Sequence, residues 1–160
     1  MGPDADVDEA LVASARDALG DGVDLMVDAG RAWNAETALG RVERFAPYNV
    51  FWLEEPLHPF DVAGYRELSE HSSIPIAGGE AMTLVEEYAD LLQNGKIHFV
   101  QPDLGRVGGI SGGLAIEALA KEAGARAVPH AFGTGILLSA SANWAAVSDR
   151  PLTEYTRAPS

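Results

Sequence analysis

The feature that most constrains this chain is a regular beat of short apolar runs, each ending at an acidic residue or a histidine. Leu25-Met26-Val27 leads to Asp28, Val50 to Leu53 leads to Glu54, and Ile74 to Gly79 leads to Glu80. Ile97 to Val100 leads to Asp103, Ala125 to Val128 ends near His130, and Leu152 to Thr156 surrounds Glu154. The polar residues are spaced at 26, 26, 23, 27 and 24 positions. The segments between have helical spacing and helix stops. The first puts Val7, Leu11, Val12, Ala15 and Leu19 on one face, with Gly20 and Gly22 as stops. Asn34 caps a helix that runs through Phe45 to the break at Pro47, and Asp61 caps one through Tyr65 and Leu68. Thr83 with Glu86 resembles a capping box for a helix running to Gly95; further helices are expected from Ser111 to Ala123 and from Ile136 to Val147.

Strand followed by helix at a near-constant interval implies a parallel sheet with right-handed crossovers. An open doubly wound sheet and a (β/α)-barrel both satisfy that pattern. The uniform repeat, and a polar residue at nearly every strand's carboxyl end, favour the barrel. A complete barrel takes about 250 residues, whereas 160 residues supply six strands here. The expected fold is α/β: a partial TIM-type barrel of about six parallel strands alternating with helices. It forms a single incomplete domain over residues 1–160 that lacks the first two strands.

Charge and composition narrow the function. Lys and Arg total 11 against 24 Asp and Glu, a net charge of −13, which argues against a nucleic-acid partner. With no cysteine, disulfides, thiolate catalysis and Cys-ligated metals are excluded. No apolar run approaches the roughly 18 to 20 residues of a membrane span, and the acidic N-terminus does not resemble a secretory signal. A cytoplasmic location is expected.

Asp28, Glu54 and Glu80 end three consecutive strands, and parallel neighbours lie about 4.8 Å apart. Three carboxylates that close need a counter-charge, and an oxygen-preferring divalent cation such as Mg2+ supplies it; the bland alternative is that each caps the next helix. Asp103 and His130 end the next two strands and suit a carboxylate–imidazole pair, in which the acid fixes the tautomer and the other nitrogen faces a substrate. His58, His71 and His98 have structural positions, and Glu55 is expected in a structural ion pair. The glycine-rich stretches Gly105 to Gly113 and Gly133-Thr134-Gly135 suit tight turns or an anion at a helix start.

Val27-Asp28-Ala29, Trp52-Leu53-Glu54-Glu55-Pro56, Gly78-Gly79-Glu80, Gln101-Pro102-Asp103 followed by Gly108-Gly109, and Pro129-His130 together resemble the enolase superfamily. The likeness is to its C-terminal barrel domain, and within that to the mandelate racemase-type branch with its acid-sugar dehydratases; it covers residues 3 to 157. It implies that Asp28, Glu54 and Glu80 bind Mg2+, that His130 is the general base with Asp103 as its orienting partner, and that Glu154 hydrogen-bonds the substrate. The chain departs from the family in lacking a Lys-x-Lys strand and the capping domain, and in carrying Gly30 where many relatives have Asn. The reaction implied is abstraction of the proton α to a carboxylate, giving an enediolate, with dehydration of a sugar acid as the expected outcome. Racemisation of a 2-hydroxy acid needs a second base. The further alternative is an inactive barrel fragment that associates through its open edges. A small carboxylic acid and a homo-oligomer are the expected partners.

Overall fold

The computed structural model describes residues 1–148 and 151–155. They form parallel strands alternating with helices, as the beat requires. The helices are α1 (Ala5–Leu19), α2 (Ala35–Phe45), α3 (Val62–His71), α4 (Val85–Gln93), α5 (Gly109–Glu122) and α6 (Gly135–Ala145). The strands are β1 (Leu25–Asp28), β2 (Val50–Glu54), β3 (Ile76–Gly78), β4 (Phe99–Val100) and β5 (Arg126–Ala127). The chain divides into two compact units, Met1–Gly78 with Asn94–Ile97, and Gly79–Gln93 with His98–Ser160.

In the first unit β1, β2 and β3 are neighbours in chain order and all parallel. Asp28 is registered with Glu54, and Glu54 with Ala77. The core beneath α2 and α3 is Phe45, Leu53, Leu57, Tyr65, Leu68 and Ile76, all fully buried; burial of such a side chain contributes about 1.5–3 kcal/mol. Asn34 Oδ1 accepts the Thr37 amide, and Asp61 Oδ1 accepts the Gly64 amide, so both expected caps form.

Helix α1 overturns one expectation. Of its apolar stripe Val7, Leu11 and Leu19 are exposed and only Val12 is buried, in a row with Asp8 and Arg16. Buried polar groups must be satisfied, and here the partners lie underneath. Arg16 donates to the carbonyls of Tyr48, Gly20, Val23 and Asn49 at 2.6–2.9 Å. Asp8 pairs with Arg41 at 2.9 Å, and that guanidinium lies 5.4 Å from the centroid of the Trp33 ring. An i, i+4, i+8 row with two charges does not register as an inner face when only apolar residues are counted.

In the second unit β4 and β5 pair in parallel, Phe99 with Arg126 and Val100 with Ala127. Tyr88, Leu91, Val100 and Ile116 are its fully buried core. The capping acid before α4 is Glu87 rather than Glu86: its Oε2 accepts the amides of Thr83 at 2.8 Å and Leu84 at 3.0 Å. The expected sixth strand is absent among the described residues. Pro151 and Pro129 offer no N–H to a ladder, and Leu152–Tyr155 runs beside the end of β5 with one long bond, Glu154 N to Pro129 O at 3.5 Å. Thr156 lies outside the described residues.

Candidate active site

Every expected site residue lies at or just past the carboxyl end of a strand, or beside one. In the first unit, Asp28 and Glu54 close β1 and β2 as register partners. Alternation along β2 puts Trp52 on the face of Glu54, and its indole Nε1 donates to Glu54 Oε2 at 2.9 Å. Asp28 Oδ1 accepts the Gly30 amide at 2.7 Å. The next carboxylate, Glu55, points the other way, into the protein. It is 2 % exposed and pairs with Arg31 Nε at 2.8 Å, the structural ion pair expected of it. Burial, reinforced by the Glu55 charge, pushes the Tyr65 phenol well above its usual range; its hydroxyl donates to Leu57 O at 3.2 Å.

In the second unit, His130 is the hub. Its Nδ1 donates to Asp103 Oδ2 at 3.0 Å, and both side chains are buried. Its Nε2 lies 3.3 Å from Glu80 Oε2 and 3.7 Å from Glu154 Oε2. Glu154 Oε2 also accepts the Ala131 amide at 2.7 Å, which holds the acid beside the ring. Asp103 is itself fixed: Oδ1 accepts the Gly105 amide at 2.7 Å, and Arg106 Nε stands 3.5 Å from Oδ2.

The glycine-rich stretch after Asp103 is a tight turn. Arg106 and Val107 amides donate to Asp103 O, and the Gly109 amide to Leu104 O, so these groups serve the turn. Gly112 is required there, because a Cβ would overlap the Val107 carbonyl. Thr134 caps α6 by accepting the Leu137 amide at 3.2 Å.

Among the described residues, no three His, Asp or Glu groups converge into a cluster that would hold a metal ion. The carboxylates of the second unit surround an imidazole instead of a common point. The donor chemistry still fits a hard divalent cation: Asp28, Glu54 and Glu80 offer anionic oxygen only. Sequence reasoning missed Trp52, Arg31 and Arg106. The i, i+2 alternation back from Glu54 was the available signal for Trp52; the two arginines sit in loops, where no periodicity marks them.

Parallel strands alternating with helices, with acids and a histidine at the strand ends, define an α/β protein of the class the motifs implied. Residues 1–159 match the enolase C-terminal domain-like family, and the chain belongs to it. An L-talarate/galactarate dehydratase of Salmonella typhimurium is 40% identical over 128 residues, 80% of this chain and 32% of the relative. A 3,6-anhydro-D-galactonate cycloisomerase from Zobellia galactanivorans superposes with a TM-score of 0.94 at 30% identity, over 100% of this chain and 46% of that one. An L-talarate dehydratase from Polaromonas sp. JS666, solved with Mg and L-glucarate, gives 0.83 at 37% identity, over 96% of this chain and 42% of that one. The chain thus spans less than half the length of these relatives.

Proposed function

We propose that this chain carries the proton-transfer part of an Mg2+-dependent enzyme that removes the proton α to the carboxylate of a sugar acid and expels the β-hydroxyl as water. The observation that carries this reading is the buried Asp103–His130 pair, 3.0 Å between Nδ1 and Oδ2. Asp103 holds the ring with Nδ1–H toward itself, which leaves Nε2 as the nitrogen that takes the α-proton. Nε2 accepts that proton only when Glu80, 3.3 Å away, has given up its contact. Glu154 accepts a substrate hydroxyl beside the ring; its bond from the Ala131 amide supports that role. Once protonated, His130 can return its proton to the departing hydroxyl, so the β C–O bond breaks and water leaves.

Asp28, Glu54 and Glu80 would hold the Mg2+. When bound, the ion offsets negative charge developing on the substrate carboxylate. The solved relative with Mg and L-glucarate and the relative named for talarate and galactarate support a sugar acid as substrate.

The test is exchange of the α-proton of galactarate with deuterium, followed by proton NMR in D2O with Mg2+ present. His130→Asn should lower the rate by about 10²–10⁴-fold. Equal exchange by the wild type and His130→Asn overturns the assignment. A second reading, an inactive chain that needs further polypeptide or another copy, is favoured by the exposed apolar residues Val7 and Leu11 on α1 and Ile136 on α6. Full exchange activity in a chain that elutes as a monomer overturns that reading.

A further inference from the structure

We infer that the Arg31–Glu55 ion pair is a clasp that fixes the loops following β1 and β2 and so sets the spacing of Asp28 and Glu54; this rests on the metal reading above. Beyond the last registered pair, Asp28 with Glu54, the two chains stay joined. Ala29 N donates to Glu54 O at 2.9 Å, Arg31 N to Glu55 O at 2.6 Å, and Trp33 N to Pro56 O at 3.1 Å. Regular pairing cannot continue, because both clasp residues are in the left-handed region, Arg31 at φ 65° and Glu55 at φ 37°. Non-glycine residues adopt that conformation rarely and must be held in it by their surroundings.

The side-chain pair joins the same two residues that the backbone bond Arg31 N to Glu55 O joins. Arg31 Nε meets Glu55 Oε2 at 2.8 Å, with the carboxylate 2 % exposed. Gly78 lies beside Glu55 as well: a Cβ there would stand at ordinary contact distance, 3.7 Å, from Glu55 Cγ and would crowd the Tyr65 hydroxyl at 3.3 Å. Arg31 follows Asp28 by three residues and Glu55 follows Glu54 by one. A shift in either loop therefore moves one oxygen donor relative to the other. Arg31 and Glu55 are positioning residues, which act on the cation only through Asp28 and Glu54.

The experiment titrates Mn2+ into the full chain by electron paramagnetic resonance and measures amide exchange at residues 29, 31 and 33. R31M should weaken Mn2+ binding by less than the about 10–100-fold that follows loss of a partner bonded directly to a ligand, and speed exchange at those three amides. Exchange at Val128 and His130, which donate to Val100 O and Pro102 O, should not change. R31K keeps the charge and should recover part of the affinity. R31M/E55Q leaves no lone buried charge to unfold the protein and should still lose Mn2+ affinity. Wild-type affinity and exchange in both R31M and R31M/E55Q overturn the clasp alone. A wild-type chain that takes up no Mn2+ overturns the metal reading, and the positioning role with it.

Discussion

The carboxyl ends of β1–β2 and of β4–β5 present the same kind of residue by opposite means. At β1–β2 the backbone does the holding: four registered pairs are followed by three further amide–carbonyl bonds beyond Asp28 and Glu54. At β4–β5 two pairs register, and past a gap the backbones meet again at an isolated parallel bridge between Asp103 and His130. Pro102 and Pro129 lack the N–H groups that would make the ladder continuous, although His130 N still reaches Pro102 O at 3.2 Å. Side chains take over there, with the imidazole joined to Asp103, Glu80 and Glu154. Asp28 and Glu54 are thus spaced mainly by the backbone, whereas the acids around His130 are tied to one another through the imidazole.

The largest effect is expected where the backbone ladder is strongest. Leu53 is fully buried on β2, the middle strand of its three. Leu53→Ala should cost about 2–5 kcal/mol, read from urea unfolding. A loss below about 1 kcal/mol would mean that β2 is not the keel of the first unit.

The next comparison pits one acid against another. Asp103→Asn removes a buried carboxylate that accepts from His130 Nδ1 and Gly105 N and should cost about 1.5–3 kcal/mol, the range for hydrogen bonds to charged groups. Asp28 is exposed and, among the described residues, bonds locally to Gly30 N, so Asp28→Asn should lie within about 0.5 kcal/mol of wild type. Equal losses in the two variants would erase the distinction between the two ends.

Trp52→Phe sharpens the contrast within the first unit. It keeps most of the ring packing but deletes the 2.9 Å bond to Glu54 Oε2, and it should cost about 0.5–1.5 kcal/mol. A loss of Mn2+ affinity accompanying it would show that the indole also orients the acid.

These contrasts bear on what was legible in the sequence. The beat located Asp28, Glu54, Glu80, Asp103 and His130, because a polar residue closing an apolar run is a local signal, and each of the five lies at or within three residues past a strand's end. The exposed stripe of α1 was not legible, since its inner face is defined by loop carbonyls that Arg16 reaches across 32 and 33 residues. The strand expected around Glu154 does not form among the described residues, because a short run around an acid says nothing about whether a neighbour has amides to share. The Arg31–Glu55 pairing depends on two left-handed residues, a conformation that arginine and glutamate do not advertise.

The smallest effect tests a surface pair of the first unit that has no part in either strand end. Lys96 Nζ lies 2.6 Å from Glu70 Oε1, and Arg66 Nε lies 3.2 Å from the same oxygen. The Lys96 hydrogen bond, helped by the charges of Lys96 and Arg66, holds the Glu70 carboxyl below its ordinary value of 4.5. A carboxyl lowered on folding binds fewer protons when folded than when unfolded. Its contribution is complete above the unfolded value and disappears as pH falls through the lowered folded one, so the window lies below about pH 4.5. Both side chains are well exposed, so salt screens the pair. Glu70→Gln should leave the melting temperature nearly unchanged at pH 7 and flatten its decline below pH 4.5 slightly, with the difference from wild type fading in high salt. A steep loss for Glu70→Gln at pH 7 would mean that the loop at Asn94–Ile97 depends on this pair for its fold.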